Sequence, residues 1–338
     1  ASKMANISAP TGSPIGLDVG TSRIVAAQRQ EDEVHCDTQL NAFVTIPFSK
    51  LTEGVLKKER IPHLAQDSEI TVLGDESERF ANLFHKETRR PMLQGVLNAN
   101  EGSSLSLVRE IVKLLAGEPK ARGQRLWFSV PAAPLGADEE VRSHKNQLTT
   151  MLNELGYDSH SISEGLAVVY GEMESSNYTG IGISCGGGLC NVCLAYLSVP
   201  VFSFSIPKAG DYIDSSVADL RGEPATRIRT IKEESFHFNG HFANKIHQAL
   251  SDSYDDMIQA LVAALRDTFA SVQNMPKLNR PIPLVLSGGS VLAPGFRDRF
   301  EKTLRETELP VAISEVRLGA NPMQSTARGA LVAALSEM

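Results

Sequence analysis

Short apolar runs alternate with glycine-rich turns along much of the chain. Residues 15–27 read I-G-L-D-V-G-T-S-R-I-V-A-A, which predicts two strands joined by a Gly-Thr-Ser turn. Residues 180–196 repeat this pattern around three consecutive glycines and predict a second hairpin. A third apolar run, 284–286, ends in Ser-Gly-Gly-Ser and precedes a predicted helix. The pattern therefore predicts three strands that end in exposed backbone turns.

Helical spacing of apolar residues marks the stretches between these turns. Residues 105–115 carry leucine, valine and isoleucine on one face and stop at Gly117, which predicts a helix. The same reasoning predicts helices over 74–85, 139–155, 165–170, 208–220, 225–234, 248–273 and 321–335. Residues 50–60 are rich in lysine, polar and without clear periodicity. They belong to a stretch that has the character of a small subdomain inserted after the first hairpin.

Two acidic residues stand beside the predicted turns. Asp18 precedes the first turn, and Glu164 lies at a strand-to-helix junction just before the second hairpin. Glycine turns allow several backbone N–H groups to approach an anion, and a nearby carboxylate can hold metal-bound water. A phosphate and magnesium site is one interpretation. The alternatives are a tight turn in a buried sheet, a solvated aspartate and a helix-start carboxylate that interacts with the helix dipole.

Length and charge limit the classes of protein. The chain has 338 residues, 42% hydrophobic and 22% charged, which fits a globular protein of two domains. Its net charge of −7 argues against non-specific binding to nucleic acid. Residues 1–14 are small, polar and proline-bearing, without a hydrophobic signal core or an amphipathic stripe. We expect them to form a disordered tail, and we expect no direct insertion into a membrane.

The four cysteines indicate a reducing compartment. Cys185, Cys190 and Cys193 lie within the second hairpin, with no histidine or fourth thiol nearby in the sequence, and Cys36 stands apart. Because strand alternation sends Cys190 and Cys193 to opposite faces, buried reduced thiols are favoured over a metal site. The predicted location is the cytoplasm.

The order of these motifs resembles the superfamily of actins, sugar kinases and heat-shock chaperone ATPases, and most closely the bacterial actins of the MreB and MamK type. The resemblance covers about residues 15–335. It is carried by I-G-L-D-V-G-T-S, L-G-D-E-S-E-R-F, R-R-P-M-L-Q-G-V-L, S-V-P-A-A, K-A-G-D-Y-I-D, I-K-E-E-S-F-H-F, L-V-L-S-G-G-S and A-N-P-M-Q-S-T-A-R-G-A-L. No single string is decisive, but their number and order are specific.

The resemblance implies an α/β, actin-like ATPase fold. It has two lobes, each built on a ribonuclease H-like mixed sheet with helices, and a nucleotide in the cleft between them. The first lobe would span 15–165, with 15–40 and 80–165 as its core and 41–79 as a small insert. The second lobe would span 166–317, with an insert at 208–260, and residues 318–338 would form a closing helix that returns to the first lobe.

The resemblance also implies site residues for ATP or ADP and Mg²⁺. Asp18 would hold magnesium through water, and Glu164 would position the attacking water. Lys232 would lie beside the ribose and base. The two phosphate loops and the adenosine wall would comprise Gly20, Thr21, Ser22, Arg23, Gly186, Gly187, Gly188, Gly288, Gly289, Ser290 and Val291.

The second loop departs from the family pattern. Ser184 and Cys185 stand where the family usually has Asp and a small apolar residue, and Leu189 and Cys190 replace Thr-Thr. Loss of side chains that act in the transition state can reduce a rate by about 10²–10³ each. We therefore expect ATP binding with slow or negligible hydrolysis.

The function implied by the resemblance is a cytoskeletal protein that assembles with itself into filaments. A pseudo-ATPase scaffold of a cell-division or pilus machine and a small-molecule kinase of the same fold remain alternatives. A chaperone would need a substrate-binding domain after the ATPase.

Overall fold

A computed structural model describes residues 12–238, 241–242 and 244–336. Most of the predicted tail, residues 1–11, therefore lies outside the described residues, as do the last two residues of the predicted closing helix. In chain order, the strands and helices are β1 (Ile15–Val19), β2 (Arg23–Gln30), β3 (Glu33–Leu40), β4 (Phe43–Pro47), α1 (Lys50–Lys58), β5 (His63–Gln66), β6 (Glu69–Leu73), α2 (Glu76–Leu83), β7 (Met92–Leu93), β8 (Val96–Leu97), α3 (Ser104–Ala116), β9 (Gln124–Val130), α4 (Asp138–Glu154), β10 (Tyr157–Ser163), α5 (Glu164–Glu172), β11 (Gly180–Cys185), β12 (Cys190–Tyr196), β13 (Val199–Ile206), α6 (Gly210–Arg221), α7 (Ala225–Glu234), α8 (Lys245–Ser271), β14 (Ile282–Ser287), α9 (Phe296–Arg305), β15 (Ile313–Leu318) and α10 (Ser325–Ser336).

Two five-stranded sheets with the same topology form the two lobes. The first has the order β10-β9-β1-β2-β3 and the second the order β13-β12-β11-β14-β15. In each sheet the first three strands are antiparallel, and the fourth and fifth are parallel to the first. Each sheet thus begins with a hairpin whose turn lies at the carboxyl end of its first strand, so both glycine turns occupy equivalent positions.

The apolar side chains of each sheet build a separate core. In the first lobe, Leu17 and Phe128 pack with the apolar face of α3, including Ile111. In the second lobe, Ile183 and Leu286 pack with α8, whose fully buried Leu261 belongs to the predicted helical stripe. The alternation of buried and exposed residues that predicted the strands therefore reflects a sheet covered by helices.

A third sheet, β4-β6-β5, follows β3 and packs against α1 and α2. Residues 50–58 form α1, a helix that the periodicity of this stretch did not indicate. Its helical pattern is weak because only Leu56 is buried, whereas Leu51 is 81% exposed. The local signal is the capping of the first turn, where the Ser49 hydroxyl accepts a hydrogen bond from the Thr52 N–H at 3.0 Å.

The lobe boundaries inferred from the resemblance remain a prediction. Phe80 and Ala81, just beyond the predicted insert of 41–79, pack into the apolar cluster of the third sheet. The second predicted insert, 208–260, ends inside α8.

Helices α5 and α10 pack against each other between the two sheets. A Cβ atom on Gly329 of α10 would lie 1.6 Å from the carbonyl oxygen of Ala167 in α5. A Cβ on Gly16 of β1 would lie 2.3 Å from the Ala327 carbonyl oxygen, so α10 also packs directly on the first sheet. These contacts explain why the closing helix is rich in small residues.

Within the described ranges, no helix combines the length and the apolar character that a membrane span requires.

The close packing of α5 on α10 makes Gly329 intolerant of a side chain. We expect Gly329→Ala to lower the free energy of unfolding by about 2 kcal/mol or more, because backbone atoms must move apart. Gly54→Ala is the matched control: Gly54 is also in a helix, but no atom lies within 4 Å of its Cβ position. That change should stabilise the protein by up to about 1 kcal/mol. Urea unfolding of both variants measures the difference, and equal stability of the two would contradict this account.

Candidate nucleotide site

A cavity of about 300 Å³ lies between the two lobes. This volume is at the lower end of the range for small-molecule sites, roughly 300–1,000 Å³. The cavity is lined by all but one of the site residues expected from the sequence: Asp18, Gly20, Thr21, Ser22, Arg23, Glu164, Gly186, Gly187, Gly188, Lys232, Gly288, Gly289 and Ser290.

Val291 is the exception. Its side chain is 1% exposed and packs in the core of the second lobe with residues such as Phe296. A short 3₁₀ helix, Gly289–Leu292, turns Val291 away from the cavity, and its neighbour Leu292 lines the cavity instead.

The two glycine turns meet across the cavity. A Cβ on Gly187 would lie 2.1 Å from the Ser22 hydroxyl oxygen, and a Cβ on Gly188 would lie 2.5 Å from Thr21 Oγ1. The Thr21 hydroxyl in turn accepts a hydrogen bond from the Gly95 N–H at 2.9 Å. These glycines are therefore required by the approach of the two lobes, and the same lack of side chains leaves backbone N–H groups accessible to an anion.

The third turn, residues 288–290, is hydrogen-bonded to the second glycine turn. The Ser290 hydroxyl donates to the Gly186 carbonyl at 3.0 Å, and the Gly210 N–H donates to the same oxygen at 3.0 Å. Gly288 has φ of +90°, a conformation that favours glycine, and its N–H donates to the Pro322 carbonyl at 2.8 Å. The loop of residues 186–188 is thus hydrogen-bonded to Ser290 and to the start of α6, and Pro322 in turn holds Gly288.

Asp18, which is partly buried, and Glu164, which is buried, both line the cavity. Burial raises the pKa of Asp18 to about 6, although the Ser129 hydroxyl, which donates to Asp18 Oδ1 at 2.9 Å, opposes this shift. Burial and the Asp18 charge raise the pKa of Glu164 to about 8, against the opposing effect of hydrogen bonds from Ser184 and Asn191. Without a cation, Glu164 therefore carries a proton at neutral pH.

Asn191 positions Glu164. Its Nδ2 donates to Glu164 Oε2 at 3.0 Å, and its Oδ1 accepts the Ala132 N–H at 2.9 Å. The side chain is 1% exposed and connects the second hairpin to the segment after β9. The sequence analysis missed Asn191 because a single asparagine in an apolar strand has no characteristic spacing.

Lys232 lies on α7 with its side chain against Asp214 of α6. The Lys232 Nζ is 2.7 Å from Asp214 Oδ1 and donates to the Gly210 carbonyl at 3.2 Å, while Arg229 Nε is 3.3 Å from Asp214 Oδ2. Because Asp214 is 2% exposed, it binds these two cations inside the wall of the cavity. The sequence did not point to Asp214 or Arg229, because the ion pairs connect two different helices and spacing within one helix does not indicate them.

The departures from the family pattern are apolar and buried. Leu189 is 4% exposed, lines the cavity, and would contact a Cβ on Gly95 at 2.7 Å. Cys190 lies directly opposite Cys185 at the base of the turn, and its thiol donates to the Lys208 carbonyl at 3.3 Å. The hydrogen-bonding interaction with Cys185 and burial raise the pKa of the Cys190 thiol well above its ordinary value. Neither side chain offers a hydroxyl to a metal-bound or attacking water.

Comparison with known proteins identifies the family. A model of the Volactin family matches residues 14–334, nearly the whole chain. The protein belongs to the Volactin family. No curated protein matches its sequence at a significant level.

Solved structures establish the fold of this Volactin family member. A MamK double helical filament is 19% identical, with a TM-score of 0.70 over 96% of this chain and 98% of that chain. MreB 5 of Spiroplasma citri bound to AMPPNP is 13% identical, with a TM-score of 0.69 over 97% of both chains. A non-polymerising MamK mutant bound to AMPPNP is 19% identical, with a TM-score of 0.60 over 97% of this chain and 100% of that chain. The predicted actin-like, two-lobed fold of the MreB and MamK type is therefore confirmed.

The raised pKa of Glu164 has a consequence for stability. A carboxyl group with a higher pKa in the folded than in the unfolded state stabilises the fold at low pH, and this stabilisation is lost as pH rises from about 4.5 to about 8. Without nucleotide and with EDTA, we expect stability to fall over this interval.

Glu164→Gln should remove much of this decrease. At pH 8 the variant should be more stable than the unchanged protein by on the order of 1 kcal/mol or more, since one pKa unit corresponds to about 1.4 kcal/mol. Urea unfolding between pH 5 and 8 tests this, with exposed Glu154→Gln as the matched control. A pH dependence unchanged in Glu164→Gln would argue against a protonated Glu164.

Proposed function

We propose that this protein is a cytoplasmic, actin-like cytoskeletal protein that binds ATP or ADP with Mg²⁺ and assembles with its own copies into filaments. The observation that carries nucleotide binding is the meeting of the glycine turns of both lobes at one cavity. Two backbone loops that face each other can hold a chain of phosphates between them, and nucleotide state is then linked to the arrangement of the lobes.

Particular side chains support this assignment. The Arg23 guanidinium has no hydrogen-bonding or ionic partner among the described residues and extends towards Gly289, with Nη1 3.9 Å from that residue's Cβ position. It is thus available for phosphate together with Thr21 and Ser22. Gly186, Gly187 and Gly188 would contribute backbone N–H groups from the opposite lobe.

The remaining wall suits the nucleoside. Lys232 would lie beside the ribose and base, as the resemblance implies. Gly288, Gly289 and Ser290 would contact the adenosine, with Leu292 adding the apolar surface that was expected of Val291.

The two acids at the cavity, Asp18 and Glu164, fit a magnesium ion. Two adjacent carboxyl groups that remain protonated above their ordinary pKa would both ionise beside a divalent cation, and carboxylate oxygen is a preferred ligand of Mg²⁺. Asp18 would hold the ion through water, and the ion would neutralise charge on the phosphates. Glu164, oriented by Asn191, would position the attacking water.

Hydrolysis should be slow for a structural reason. Leu189 places an apolar side chain at the cavity, and Ser184 donates to Glu164 instead of supplying a carboxylate. These residues favour nucleotide binding over turnover, and they also favour the alternative of a non-polymerising pseudo-ATPase scaffold. Filament assembly draws its support from the fold shared with a MamK double helical filament, and such assembly uses head-to-tail contacts that do not close into rings.

Gly188→Ala should abolish nucleotide binding and nucleotide-dependent assembly, because the added Cβ would lie 2.7 Å from the Gly95 backbone nitrogen and force the segments around the cavity apart. Fluorescent ATP titration measures binding, and sedimentation with negative-stain microscopy measures assembly. Gly102→Ala is the control, since no atom lies within 4 Å of its Cβ position. A protein that binds ATP but stays monomeric would favour the scaffold.

Phosphate release should be slow or absent in the unchanged protein, and Glu164→Ala should lower any residual release, because Glu164 is assigned to position the attacking water. The comparison is with an MreB protein under the same conditions, by colorimetric phosphate assay. Release as fast as that of the MreB protein, and abolished by Glu164→Ala, would refute slow hydrolysis.

A further inference from the structure

An ion pair between Arg90 and Asp211 lines the cavity beside the second glycine turn. Arg90, in the segment before β7, donates from Nη1 to both carboxylate oxygens of Asp211 at 2.8 Å. Asp211 lies in the first turn of α6 in the second lobe, so this pair connects the two lobes. Both side chains line the cavity and are partly buried, with 20% and 29% exposure.

The pair lies directly against the loop of residues 186–188. The Asp211 N–H donates to the Gly187 carbonyl at 2.8 Å, and Asp211 Oδ1 is 3.5 Å from the Cβ position of Gly187. A carboxylate therefore stands beside the backbone loop that we assign to phosphate, with the Arg90 guanidinium bound to it. A phosphate that enters this loop brings negative charge next to Asp211 and within reach of Arg90.

The two partners of this ion pair should respond differently to phosphate. A guanidinium binds phosphate and carboxylate in the same bidentate way, and the terminal phosphate carries more negative charge than a carboxylate. Asp211 gains nothing from a phosphate nearby, but it lies at the amino end of a 12-residue helix, where the helix dipole stabilises a carboxylate without a cation. The pair can thus separate at low cost.

We propose that Arg90 is a specificity-determining residue that favours a nucleoside triphosphate over a diphosphate by moving from Asp211 to the terminal phosphate. Asp211 holds Arg90 across the cleft when no terminal phosphate is present. This inference rests on the proposed nucleotide site. It assigns a function to two residues that the motif analysis did not single out.

The test compares the affinities of AMPPNP and ADP in two variants, by competition with a fluorescent ADP in the presence of Mg²⁺. Arg90→Ala should weaken AMPPNP binding by about tenfold or more, the effect of losing one charge-assisted hydrogen bond, and ADP binding by less than about threefold. Asp211→Asn frees Arg90 and removes a competing negative charge, so it should strengthen AMPPNP binding and leave ADP binding nearly unchanged.

Opposite effects of the Arg90 and Asp211 substitutions on AMPPNP affinity distinguish a role in nucleotide specificity from a purely structural role. If the ion pair only holds the lobes together, both substitutions should weaken the binding of AMPPNP and ADP to the same extent. That result would overturn the inference. If the unchanged protein binds neither nucleotide, the proposed function fails and this inference fails with it. If the unchanged protein binds both nucleotides and Arg90→Ala weakens the affinities for AMPPNP and ADP equally, the inference about Arg90 is overturned but the proposed nucleotide site is not.

The neighbouring Arg89 provides a matched control. Its Nε is 3.1 Å from Glu101 Oε1, and its guanidinium lies over the Phe43 ring at 4.7 Å, outside the cavity. Arg89→Ala and Glu101→Gln therefore remove an arginine and an acid from an equivalent pair and should not change the ratio of AMPPNP to ADP affinity. Thermal unfolding of all four variants establishes that each is folded.

Discussion

The structure depends on the close approach of the second glycine turn to the Thr21 and Ser22 side chains of the first turn. The turn of β1–β2 and the turn of β11–β12 come into contact because Gly187 and Gly188 have no side chains at the positions where Ser22 and Thr21 lie. The cavity exists at this contact, since both turns stand at the carboxyl ends of equivalent strands in two sheets of equal topology. Any side chain added here would separate the lobes or close the site.

Buried charge is the second constraint on the site. Acidic groups outnumber basic ones along the cavity, with Asp18, Glu78, Glu164, Asp211, Asp214 and Glu233 against Arg23, Arg90, Arg229 and Lys232. Lys232 and Arg229 are bound to Asp214, and Arg90 is bound to Asp211. Of the four cationic side chains at the cavity, Arg23 therefore has no ionic partner among the described residues. A polyphosphate would enter such a site with a divalent cation, which the Asp18 and Glu164 carboxyl groups favour.

The motifs predicted from the sequence are those that depend on local backbone requirements. Gly288 adopts a positive φ, and the strands on either side of each turn carry the apolar residues that their sheet positions require. Val291 shows the limit of this reasoning: it follows the Gly-Gly-Ser turn in sequence, but one turn of 3₁₀ helix rotates it into the core. Helix α1 shows another limit, because a helix that buries only Leu56 lacks the apolar stripe from which helices are predicted.

The sequence by itself determined the order of strands and turns, because this order follows from local periodicity and backbone conformation. The fold family and most of the glycines and acids at the cavity were inferred from the resemblance of its motifs to those of bacterial actins. Only the tertiary structure decided which polar side chains meet. Arg90 and Asp211 are 121 positions apart, and Ala132 and Asn191 are 59 apart. Such pairs form because the two sheets bring their loops together. The spacing of residues within one segment does not show which distant residues will meet. The sequence therefore shows the second hairpin as a glycine turn, and the structure shows that this turn forms one side of a cavity between the lobes.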